Sequence, residues 1–188
     1  MIPNDPVLTV DPWDDLCTTL STQFKNLVPS LKYAVEGWPD PKWFEDTGVN
    51  FPSAFFVKVG EKGTNTTGRA KVFKTITNSD GTGAIYFETK KILYLLQISL
   101  FTTDPQQRLD IGWAIMQYLN NQIQLPINTV NTARFVFKSL DRMPEGRDNF
   151  YQRDMQFEAQ TRILDGVQGY KVTNLIPSLD ISPTTQTS

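Results

Sequence analysis

The sequence predicts an α+β fold: a mostly antiparallel β-sheet with two amphipathic helices packed on one face, plus long hairpin loops and terminal arms. Three observations carry that expectation. Asp11-Pro12 and Asp104-Pro105 each open a segment whose apolar residues recur at helical spacing. Much of the remaining chain alternates with a period of two, most clearly from Tyr151 to Ile163. Turn residues separate the alternating runs, as in Asn78-Ser79-Asp80-Gly81-Thr82-Gly83. Two helices set among runs of strands, rather than one after every strand, indicate helices segregated to one face of a sheet.

Taken in chain order, residues 1–10 read as a Pro-rich N-terminal arm. Asp11 is placed to cap the first helix, Pro12 suits its first position, and Asp14 and Asp15 favour its positive end. Trp13, Leu16, Cys17, Leu20, Phe24 and Leu27 form its apolar stripe, and Pro29 stops it. Leu31, Tyr33 and Val35 alternate as a short strand. Residues 36–53 carry too much proline for regular structure and read as a long loop. Strands follow at Ala54–Val59 and Lys71–Thr77, separated by a polar loop from Gly60 to Gly68. Ala84–Thr102 reads as one long strand bent near Lys90-Lys91, with its second half apolar on both faces, as a covered central strand requires. The second helix is expected to bury Leu109, Gly112, Trp113, Met116, Leu119 and Ile123. Ala133–Leu140 is a further strand, and 141–149 a charged loop. The last long strand, Phe150–Leu164, puts Tyr151, Arg153, Met155, Phe157, Ala159, Thr161 and Ile163 on one face and a Gln-rich wet face opposite. The expected organisation is a single domain over 11–169 with a C-terminal tail at 170–188, and 188 residues suffice to bury a core without cross-links.

Composition excludes several kinds of chemistry. The chain has no histidine and one cysteine, Cys17. Imidazole-based nucleophilic catalysis, histidine metal sites, thiolate clusters and an internal disulfide are therefore ruled out. Cys17 lies among apolar residues at helical spacing and is expected to be an inert core thiol. Eighteen basic against twenty acidic residues leave a net charge of −2, so specific nucleic-acid binding is not expected. The first residues lack a basic start and apolar run, and no stretch suits a membrane helix; synthesis in the cytoplasm is the expectation.

Two constellations stand out. Trp38, Trp43 and Phe44 lie among Glu36, Asp40, Glu45 and Asp46. Such a group can pin a loop to the body or anchor a partner, since tryptophan is enriched at interface hot spots. Stacked aromatics with paired carboxylates also suit a carbohydrate-binding or glycan-acting site. The second is the mixed-charge stretch Arg142, Glu145, Arg147, Asp148, Arg153 and Asp154, which suits a solvated face or a subunit contact in which charge sets register. Lys62 and Arg69, near a hairpin tip, complete the candidate interface set. No cofactor or metal is expected, and no catalytic residue emerges.

From Ile92 to Ile163 the chain gives a long apolar strand (Leu93-Tyr94-Leu95-Leu96-Gln97-Ile98-Ser99-Leu100-Phe101), a helix begun by Asp104-Pro105, the strand Arg134-Phe135-Val136-Phe137, and the alternating Tyr151-Gln152-Arg153-Asp154-Met155-Gln156-Phe157-Glu158-Ala159. This layout resembles the tail terminator and tail-completion (neck) proteins of tailed bacteriophages. The likeness spans Asp11 to Leu164 in element order and the second half in residue pattern; the Trp/Pro loop at 36–46 and the tail beyond Gly169 depart from it. It implies a non-enzymatic virion subunit forming a homo-hexameric ring. The ring would cap the tail tube, meet the head–tail connector, and touch the sheath where the tail is contractile, with DNA passing through. Another tail or baseplate adaptor remains the neighbouring alternative.

Overall fold

A computed structural model describes residues 6–7, 11–45, 50–65, 71–77, 82–141 and 150–170. The elements are β1 (Pro6–Val7), α1 (Pro12–Leu27), β2 (Tyr33–Glu36), a 3-10 turn (Pro41–Glu45), β3 (Ser53–Asn65), β4 (Lys71–Thr77), β5 (Thr82–Thr102), α2 (Pro105–Asn121), β6 (Leu125–Pro126), β7 (Thr132–Asp141) and β8 (Tyr151–Tyr170). They form a curled mixed sheet of order β2-β3-β5-β8-β7-β6, with β4 added to β5 and β1 to β8. Only β2 and β3 pair in parallel; the other described pairs are antiparallel. The expected α+β class, with a mostly antiparallel sheet, is what the chain adopts.

Both helices begin where Asp-Pro places them. The Asp11 carboxylate accepts from the Trp13 amide at 3.0 Å, and that of Asp104 accepts from Gln106 at 2.8 Å. In α1 the expected stripe is buried from Trp13 to Phe24, but Leu27 is exposed; the capping residue Val28 turns inward in its place. In α2 the stripe is rotated. Ile111, Gly112, Ile115, Met116 and Leu119 are buried, Leu109 and Trp113 are exposed, and Ile123 lies beyond the helix in solvent. A charged strand residue lies beneath the helix. Arg153 of β8 is buried there and donates to the Leu109 carbonyl at 3.3 Å. A Cβ on residue 112 would stand 2.7 Å from the Arg153 Nη1 and 2.8 Å from its Cδ, so glycine there leaves room for the Arg153 side chain against the helix.

The main core lies between the helices and one sheet face. Tyr94, Leu96, Ile98 and Leu100 of β5, Ala54 and Phe56 of β3, Met155, Phe157 and Ala159 of β8, and Ala133 and Phe135 of β7 meet the α1 and α2 stripes. The opposite face was expected to be wet along β8. Instead, part of it carries a second cluster, in which Phe51, Phe55 and Phe101 pack with Val35, Trp43, Phe44 and Phe150. Asp154, on that side, is buried and accepts from the Gln152 amide at 2.9 and 3.1 Å.

Several boundaries move because the long strands β5 and β8 offer backbone partners that the local pattern does not show. The span from Gly60 was expected to be loop, yet β3 runs on to Asn65 because β5 offers partners down to Lys90. The expected bend in β5 coincides with a register irregularity between Glu88 and Lys90. β8 extends to Tyr170, where Thr82 pairs with it. Pro6 and Val7, within the expected free arm, pair with Val167 and Gly166. The loop at 36–53 contains the 3-10 turn, and Gly37 leads into it at φ 108° while donating to the Phe56 carbonyl at 2.9 Å. The turn at 78–81, the charged loop at 142–149 and the tail from 171 lie outside the described residues.

Candidate functional site

Strand lengths determine which backbone is left for a partner. β2 pairs with β3 only over Ser53–Phe56, so among the described residues the outer edge of β3 is uncovered from Val57 to Asn65. At the far side of the sheet, β6 covers only Thr132 and Ala133 of β7, leaving Arg134–Asp141 uncovered in the same sense. β5 and β8 also outrun the helices. The main core takes nothing from β5 before Ile92, yet that strand reaches back to Thr82, an extension of ~30 Å. β4 lies along it, with Val72, Phe73 and Ile85 exposed. Lys74 of β4 donates to the Thr129 carbonyl at 2.6 Å, in the turn before β7. Those elements are three strands apart in the sheet order, so this contact marks the curl.

The structure brings the three ring residues of the 36–46 loop together. Trp43 is half-buried between Tyr33 (centroids 4.5 Å apart) and Phe55 (5.6 Å), and its indole N–H has no acceptor among the described residues. Phe44 stacks on Phe150 at 4.8 Å and meets Phe101 edge-on at 5.2 Å. Trp38 is 56% exposed, and its one ring contact among the described residues is a T-shaped one with Phe101 at 6.3 Å. Trp43 and Phe44 therefore fasten the loop to the sheet, and Trp38 alone presents a free ring. The neighbouring carboxylates are partly engaged: Glu36 accepts from the Trp13 indole, and Asp40 accepts from the Lys42 amide at 2.9 Å. Asp46 lies outside the described residues.

Lys62 is exposed on β3, far from that loop in the sheet register. Arg153, expected at a surface contact, is instead buried under α2. Arg69, Arg142, Glu145, Arg147 and Asp148 lie outside the described residues. Sequence reasoning missed the exposed pair Leu109 and Trp113, because helical spacing accommodates two phases in α2. It also missed a groove of about 490 Å³ on the sheet, into which Lys62, Lys91, Arg134 and Arg162 all project. Strand parity held the signal for it, but only register could align the four residues.

Two buried groups, the Cys17 thiol and the Tyr94 hydroxyl, are held protonated. Burial, then the charges of Glu36 and Asp14, push the Cys17 thiol up to about 12. Tyr94, whose hydroxyl donates to Asp11 at 2.6 Å, is raised chiefly by burial and next by that hydrogen bond. Neither group is activated for attack. Among the described residues no cluster of three or more carboxylates or thiols is placed to hold a metal, and no helix is long and apolar enough to cross a membrane.

Among the described residues, the features define two long helices on a curled mixed sheet, with open strand edges on both flanks. No known family model matches the chain, and no curated protein matches it.

Proposed function

We propose that this chain is a structural virion subunit, a tail terminator of the neck of a tailed phage. Its copies close into a ring, cap the tail tube and join it to the head connector. The carrying observation is the pair of edges, Val57–Asn65 of β3 and Arg134–Asp141 of β7, that no described residue covers on opposite flanks of one sheet. Uncovered edges recruit other chains through main-chain hydrogen bonds. Two different edges on opposite flanks favour a head-to-tail contact, which generates a ring when its rotation closes. The extension of β5 and β8 offers a further lever toward tube, connector or, in a contractile tail, sheath. The resemblance in element order supports the same reading. A sugar platform is less favoured, since Trp43 is enclosed by other rings and Trp38 stands alone.

Electron microscopy and mass photometry of the purified chain, with co-sedimentation on tail tubes, test the proposal. Rings are expected, either free or on the tube end. Val59→Asp, at an exposed edge position, should weaken assembly at least tenfold and leave the fold intact. A persistent monomer at high concentration that also fails to sediment with tubes would overturn it.

A further inference from the structure

The groove on the sheet face is unusual for an acidic chain. Four cations, Lys62, Lys91, Arg134 and Arg162, line it with no carboxylate among the described lining residues, although the protein carries more acids than bases. Register explains the convergence. Lys62, Leu93, Gln160 and Arg134 are successive partners across β3, β5, β8 and β7. Thr64, Lys91 and Arg162 form the adjoining row. One row spans ~14 Å and the rows lie ~7 Å apart, so four positive charges share a patch of nucleotide dimensions.

Stability does not account for this arrangement. Lys91 and Arg162 are direct cross-strand partners, a like-charge pairing that destabilises a sheet. Arg162 is compensated by Glu88 at 2.7 Å, whereas Lys62, Lys91 and Arg134 form no ion pair among the described residues. Neutral donors fill the spaces between the charges. Gln160 lies beside Arg134, and the Thr132 hydroxyl donates to the Gln124 carbonyl oxygen at 3.3 Å, which leaves the Gln124 amide N–H₂ to face a ligand. A volume of about 490 Å³ is within the range of small-molecule sites.

We infer that this groove binds a phosphate-bearing ligand of nucleotide size, either a free nucleotide or one stretch of a nucleic-acid strand. Arginine forks with lysine point charges suit phosphate oxygens. Among the described residues no aromatic ring lines the groove, so recognition is of phosphate and sugar, without base stacking or sequence preference. The inference does not depend on ring assembly, and its test does not involve tail tubes.

The test measures binding of the full chain at low salt to ATP and to a fluorescent 12-nucleotide single-stranded DNA, with polyglutamate as the rival polyanion. The double variant Lys62→Gln/Arg134→Gln should weaken phosphate binding tenfold or more, and Lys25→Gln, on α1, should leave it unchanged. For the oligonucleotide, each cation removed should lower the slope of log affinity against log salt by ~0.7. Tighter binding of the oligonucleotide than of ATP assigns the site to a strand backbone; binding of ATP alone assigns it to a free nucleotide. In the wild-type chain, amide chemical-shift changes on adding ATP or oligonucleotide should centre on Lys91, Leu93, Gln160 and Arg162, a readout that does not depend on any variant folding. Absence of binding to both phosphate probes, equal capture of polyglutamate, or shift changes centred elsewhere would overturn the inference.

Discussion

Replacing Phe101 by alanine should cost the fold ~4 kcal/mol. Phe101 is 1% exposed at the centre of the second cluster. Its ring meets Phe44 at 5.2 Å, Phe55 and Phe150 at 5.8 Å each, Phe51 at 6.1 Å and Trp38 at 6.3 Å. Phenylalanine-to-alanine changes in cores cost ~3–5 kcal/mol, and aromatic pairs add ~0.5–1.5 kcal/mol each beyond area burial. Five ring contacts place this site in the upper part of that range, moderated because the loop can partly collapse into the space. Urea unfolding followed by tryptophan fluorescence gives the total, with Trp38 and Trp43 inside the affected region. Hydrogen exchange gives the location: protection should fall across 50–57 and persist across Ile92–Leu100. A loss below ~1.5 kcal/mol, or one spread evenly over both clusters, would refute the claim that the rings hold the loop on the sheet.

Further predictions follow from the other packing relations. Gly112→Val should destabilise by ~2 kcal/mol through overpacking against Arg153, and a cycle with Arg153→Ala should show strong coupling, read from urea midpoints. Leu109→Ser and Trp113→Ser should each change stability by less than ~0.5 kcal/mol while lowering self-association measured by light scattering, since both side chains face solvent. Alkaline pH should unfold the protein. The folded Cys17 thiol keeps its proton to about 12 while the unfolded one loses it near 9.0, so stability is full below pH 9 and falls from pH 9 to 12. Tyr94 acts in the same direction above its ordinary value of 10.0, and Cys17→Ala should flatten the thiol's part of a thermal-midpoint profile.

Local chemistry was legible where the cause is local. Asp11-Pro12 and Asp104-Pro105 fix two helix starts from adjacent residues, and the alternation of β8 shows which of its side chains line the main core. The phase of α2 was not legible, because Leu109 and Trp113 fit a 3.6-residue period as well as Ile111 and Ile115 do, and the choice between them depends on packing against distant strands. The second cluster joins a Pro-rich loop to Phe101 and Phe150, and nothing in residues 36–51 names those partners. Cross-strand register was equally hidden. Lys62 was noticeable alone, but its alignment with Arg134 runs through Leu93 and Gln160 on two intervening strands.

The ladder between β5 and β8 also orders the way the molecule comes together. Its pairs run from Thr102 with Tyr151 at one end to Thr82 with Tyr170 at the other. The first closes the shortest stretch of chain and the last the longest, so zippering from the α2 end meets the smaller entropic barrier. The helix-free extension is then the final portion to set. A surface completed last stays adjustable longest, and a neighbouring molecule that arrives early can take part in shaping it.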